Sequence, residues 1–223
     1  MHVKHQARAA LLTYMTVALC FGATSNGSAQ ELDISLPDVS LAETSTLTDR
    51  PSPKLGEVRE FTGAVAGVNC SRWEVVALDS DGQTVSECGT NKLYFKQDDH
   101  LNLHKATGPK DANILVFEPS YPGIEFPLKV GNHWHRPYAG YLAIEGLRWE
   151  GDLNCEVAEF SEVTVVAGTF KAYRIECHDN WTVGQTGSSL NSTTWYAPEI
   201  GGVVKTITYE DSRWNSELKA FSR

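Results

Sequence analysis

The chain has 223 residues, a net charge of −9 and five cysteines. An acidic surface repels nucleic-acid phosphates and anionic lipid, and no basic cluster interrupts that balance, so nucleic acid is not an expected partner. About 170 residues follow a polar N-terminal stretch, enough for one domain with a real core.

The N-terminus is built differently from the rest. His2, Lys4, His5 and Arg8 form a basic flank ahead of an apolar run from Ala9 to Ala23, and a polar stretch then closes on Gly27-Ser28-Ala29. That order of parts predicts a secretory signal over residues 1–29. The run has 15 residues, whereas a spanning helix needs ~20, so no transmembrane span is expected in the mature chain. The expected location is exported, periplasmic or extracellular. Cys20 in Val17-Ala18-Leu19-Cys20 offers an alternative, lipid-anchored form, but the large Leu19 stands where lipidation wants a small residue.

Residues 30–52 are acidic, rich in Ser and Thr, and punctuated by Pro37 and Pro51. They read as a flexible leader, with an all-β domain over 53–223. Removal of the signal takes Cys20 with it and leaves Cys70, Cys88, Cys155 and Cys177. Four cysteines in an oxidising compartment read as two disulfides. None forms C-x-x-C, which argues against thioredoxin-like chemistry and a zinc ribbon. Each neighbouring pair flanks one predicted turn, so Cys70–Cys88 and Cys155–Cys177 are the expected bridges.

Strand signals then recur along the chain. Trp73, Val75 and Ala77 alternate with Arg72 and Glu74, and the turn Asp79-Ser80-Asp81-Gly82 leads to Thr84-Val85. Leu93 and Phe95 continue the pattern; Val163 and Val165 approach an Ala167-Gly168 turn, and Tyr173, Ile175 and Cys177 leave it on one face. Val203, Lys205, Ile207 and Tyr209 share a face, as do Trp214, Ser216, Leu218 and Ala220. With 18 glycines, nine prolines and no sustained helical period, the pattern predicts one curved antiparallel sheet, a half-barrel or open barrel-like structure. The stretch from Pro53 to Phe61 also echoes that from Pro127 to Trp134, with proline, an apolar residue and glycine ahead of an aromatic.

Three stretches together resemble a group of bacterial secreted and envelope proteins of unknown function that carry FPLxVGxxW, VTVPAGTFxA and WYAPxVGxV elements. They are Phe126 to Trp134, Glu162 to Ala172 and Trp195 to Gly201. Here Val166 replaces the usual proline, and Gly202 extends the last element. The resemblance spans roughly residues 53 to 221. It implies a curved antiparallel sheet in the envelope and supplies no catalytic residues.

Few residues suggest chemistry. In an extended His133-Trp134-His135 segment both imidazoles share a face and could grip a transition metal, and Asp98, Asp99, His100 and His104 could complete such a site if the fold brings them near. The alternative has both histidines facing solvent while Trp134 enters the core. Asp79 to Gly82 lacks the spaced oxygen ligands of a calcium loop and reads as a hairpin turn. Trp73, Trp134, Trp149 and Trp181 could line a ligand cleft, or simply fill the core. No G-x-S-x-G, H-E-x-x-H, P-loop or dinucleotide fingerprint occurs, and no cofactor is expected.

The expected function is therefore a non-catalytic envelope protein binding an apolar or amphipathic ligand, such as a lipid, or another envelope protein. The alternatives are a metal-dependent hydrolase built on His133, His135 and His100, and a structural or adhesion-type surface module.

Overall fold

The computed structural model describes residues 46–63, 65, 70–78, 83–89 and 92–223. The secretory signal, Cys20, the first part of the leader and the Asp79–Gly82 turn lie outside the described residues.

Among the described residues there are fourteen strands and no α-helix. The first, β1 (Thr46–Leu47), pairs with β8 (Leu128–Lys129) as a separate two-stranded sheet. The remaining twelve are β2 (Val58–Gly63), β3 (Arg72–Leu78), β4 (Thr84–Cys88), β5 (Leu93–Gln97), β6 (Leu103–Thr107), β7 (Asn113–Tyr121), β9 (His133–Leu142), β10 (Leu147–Val165), β11 (Gly168–Val183), β12 (Thr186–Ala197), β13 (Gly202–Thr208) and β14 (Ser216–Ser222). Each pairs antiparallel with the next in this order, and β14 returns to β2.

That last pairing corrects the expectation of a half-barrel or open sheet. β14 meets β2 from Ser216 opposite Gly63 to Ser222 opposite Val58, so the sheet closes into a twelve-stranded barrel. Closure pairs the backbone groups that two free edges would leave exposed. Bulges in β3, β10, β13 and β14 supply local curvature.

The alternation of each strand decides which side is dry. On β10, Leu153, Cys155 and Val157 are buried inside while Arg148, Glu150, Asn154 and Glu156 are exposed outside. Tyr173, Ile175, Tyr196, Val204 and Leu218 complete the most buried layer. Burying each such side chain contributes ~1.5–3 kcal/mol. Charge outside and apolar side chains inside is the reverse of a lipid-spanning barrel.

Glycines admit the largest rings. Gly140 on β9 faces Trp149 on β10, and Gly151 on β10 faces Tyr138 on β9. Phe117 on β7 is also opposite Gly140, and its ring meets Trp149 edge-on with centroids 6.0 Å apart. The segment 122–127, between β7 and β8, folds onto the core. Asn102 holds it, donating from Nδ2 to the Ile124 carbonyl (2.8 Å) and accepting from the Ile124 N–H (2.9 Å).

The two expected disulfides are formed. Cys70 and Cys88 have Cα atoms 6.1 Å apart; Cys155 and Cys177 stand directly opposite each other on β10 and β11, with Cα atoms 4.1 Å apart.

The echo in sequence is an echo in structure. Gly56 N–H donates to the Val75 carbonyl (2.8 Å), Glu57 N–H to Lys54 (3.0 Å), and Val75 N–H returns to Glu57 (2.9 Å). Gly131, Val157, Asn132 and Lys129 make the same three bonds at 2.9, 3.0 and 2.8 Å. Both glycines have positive φ, +81° and +87°. A bulge follows Val75 on β3 and Val157 on β10. The barrel is thus two six-stranded halves, β2–β7 and β9–β14, each opened by the same turn. Gly56 matches Gly131, which places Arg59 at the position of Trp134 and Glu57 at that of Asn132.

Candidate functional site

The outer surface of β9 to β12, with Tyr209 just beyond β13, carries an open groove of about 520 Å³. Its position follows from strand alternation. His133 and His135 on β9 are exposed, whereas Trp134 between them is buried. The register then sets His133 opposite Glu156 and His135 opposite Asn154 on β10. Glu156 faces Glu176 on β11, and Asn154 faces His178. One strand further, Thr193 lies opposite Glu176 and Asn191 opposite His178. Tyr209 closes the far side, its hydroxyl 2.9 Å from Thr193 Oγ1. A smaller depression of about 330 Å³ adjoins the groove through His133 and His135 and reaches Phe126.

Several groove side chains are fixed by hydrogen bonds. His178 Nδ1 lies 2.8 Å from Asn191 Oδ1, and Asn191 donates its backbone N–H to Glu210 (2.8 Å) and its amide to the same carboxylate. These bonds hold the Glu210 carboxyl below the usual range. His135 pairs with Asp152, and Arg174 pairs with both Glu176 and Glu159. The resulting surface sets imidazoles, carboxylates and amides among apolar patches. It can exchange hydrogen bonds and charge with a polar partner.

The metal candidates are only partly brought together. His133 and His135 line the groove, but His100 does not; it sits in the β5–β6 turn with its ring 5.4 Å from Phe126. Asp98 is occupied in that turn, accepting the N–H groups of His100 (2.9 Å) and Asn102 (2.8 Å). Among the described residues no group of three or more His, Cys, Asp or Glu side chains is arranged to hold a metal ion.

The four candidate tryptophans face inward, whereas Trp214 is exposed. Trp73 and Trp134 are buried and donate their indole N–H groups to the carbonyls of Cys70 (3.2 Å) and Pro122 (2.9 Å). Trp149 and Trp181 are half-buried on β10 and β11. Near them lies a buried carboxylate that sequence reasoning did not single out. Asp179, 5% exposed, accepts from the hydroxyls of Tyr121 (3.0 Å) and Tyr138 (2.9 and 3.0 Å). Burial raises the Asp179 carboxyl above its ordinary range, with the two phenols opposing that shift. Burial and the neighbouring carboxylate push both phenols upward.

No family model matches the chain, and no curated protein matches it. Solved structures that resemble it are an exported protein with a YmcC-like fold from Bacteroides fragilis, a lipoprotein from Parabacteroides distasonis and the lipoprotein YmcC from Escherichia coli. They are 14%, 14% and 12% identical, with TM-scores of 0.45, 0.45 and 0.46. Each alignment covers 79% of this chain and 100%, 99% and 92% of the other. At these scores the likeness is one of outline and carries no function across.

Proposed function

We propose that the chain is an exported, non-catalytic envelope protein that docks another envelope protein through the groove on β9–β12. Support for export comes from the signal-like N-terminus and from two bridges that an oxidising compartment would form and keep. The resemblance to secreted envelope proteins belongs to the same reading. The observation that carries the docking is the groove itself, where charged and amide side chains from four consecutive strands, β9 to β12, line one depression. Glu156 and Glu176 line it and Glu210 holds its Asn191, which gives it acidic character complementary to a basic surface on the partner. The interior, filled by Trp73, Trp134 and Tyr138, is the less suitable place for an apolar ligand.

A photo-crosslinking residue at Asn154, compared with one at exposed Val166 on the β10–β11 turn, tests this in intact cells. The expected outcome is one discrete protein adduct from position 154, absent from 166 and lost when Glu156→Lys is added. No adduct, or the same adducts from both positions regardless of Glu156, would overturn the reading.

A further inference from the structure

A second cluster of charge lies at the end of the barrel beneath the turn Pro198–Ile200, away from the groove. Glu57, whose side chain is fully buried, accepts from Arg59 and from Arg223 Nε (3.0 Å). Arg59 Nη2 also donates to the carbonyls of Ile200 (3.1 Å) and Gly201 (3.3 Å). Arg223 Nη2 donates to the Ile200 carbonyl (3.1 Å), and Arg50 Nε to that of Gly201 (3.3 Å). Three guanidiniums therefore share one carboxylate and two carbonyls, an excess of positive charge.

The cluster also holds donors with nothing to donate to. Arg50 Nη1, Arg59 Nε and the Tyr196 hydroxyl are buried with no hydrogen-bond partner among the described residues, and Tyr196 is 0% exposed. Burial pushes the Tyr196 phenol up to about 12, with Arg50, Arg59 and Arg223 near enough to pull it back. Burial and the neighbouring Arg59 bring Arg50 down to about 10. Unpaired buried charge and unmet donors are both costly. The fold does not impose them, because the position matching Arg59 in the other half of the barrel is Trp134, an ordinary core residue. A group that supplies only acceptors and negative charge would satisfy every one of these features at once.

We propose that this cluster binds one oxyanion group, a carboxylate or a phosphate, through Arg50, Arg59 and the Tyr196 hydroxyl. Planar guanidiniums suit the paired oxygens of such groups. Arg223, whose side chain is 28% exposed, reaches solvent from the cluster.

The test is calorimetric titration of the folded, oxidised protein with sodium acetate and with inorganic phosphate, against sodium chloride at matched ionic strength. Saturable binding of acetate assigns a carboxylate, and saturable binding of phosphate a phosphate; either supports the site. Arg50→Gln should weaken that binding by about tenfold or more. Tyr196→Phe removes a hydroxyl that has no partner among the described residues, so the ligand-free unfolding midpoint should stay unchanged or rise while binding weakens by about tenfold. That variant keeps the test valid if Arg50→Gln fails to fold. Responses equal to chloride, or the same affinity in the Tyr196→Phe protein, would overturn the proposal.

Discussion

Gly56 and Gly131 make the same turn at the start of the two halves of the barrel. Both adopt positive φ, and a Cβ added at either would meet nothing within 4 Å. The cost of substitution is therefore conformational alone. Gly56→Ala and Gly131→Ala should each destabilise by ~1–2 kcal/mol. Gly187→Ala, also in open space but without positive φ, should change stability by less than ~0.5 kcal/mol. Chemical denaturation of the three variants checks this.

The opposite situation holds at Gly151, where a Cβ would stand 2.2 Å from the Tyr138 ring. Gly151→Ala must displace that ring from its hydrogen bonds to Asp179, and a loss of ~1–3 kcal/mol follows. The Gly151→Ala, Tyr138→Ala pair should be non-additive, because the second change vacates the space the first one needs.

Asp179 gives stability a pH dependence of defined sign. Its folded-state carboxyl titrates above the ordinary 3.8, so the native state holds a proton that the unfolded chain releases. The stabilisation that accompanies protonation is complete below the unfolded value and is lost as pH rises through the raised folded one. Asp179→Asn should abolish this contribution, leaving a shallower decline with rising pH above about 4 than in the unmodified protein. Urea midpoints measured across the acid range test it; identical slopes in the two proteins would refute it.

The bridges act chiefly on the unfolded chain. Cys70 and Cys88 are separated by 18 positions and Cys155 and Cys177 by 22, so the loop-closure estimate is ~3 kcal/mol for each. The Cys155→Ser, Cys177→Ser double variant should therefore unfold at markedly lower denaturant. An unchanged midpoint would show that this bridge contributes nothing.

Much of this was legible in the sequence because strand alternation and cysteine spacing are local. His133-Trp134-His135 places Trp134 inward and the histidines outward by period alone. The Ala167-Gly168 reversal was visible too, although the turn is made by Val166-Ala167, with Gly168 at φ +139° beginning β11. Barrel closure was not legible, because it depends on Ser222 meeting Val58 across the length of the domain. The groove was hidden for the same reason: Glu156 and Glu176 join His133 only through register between strands. The echo was seen but misaligned, since the aromatic residues drew Phe61 to Trp134 whereas the shared turn matches Arg59 to it. Arg50 and Arg223 could not be connected before folding brought them to Gly201 and Ile200.

Amide hydrogen exchange on β2 and β14 tests the central claim, that the first and last barrel strands close one sheet with an apolar inside and a polar outside. The account predicts slow exchange for the paired amides of Val58–Phe61 and Leu218–Ser222, in one cooperative unit with β10 and β11. Rapid exchange of both strands while β10 and β11 stay protected would mean two free edges and an open sheet, and would contradict it.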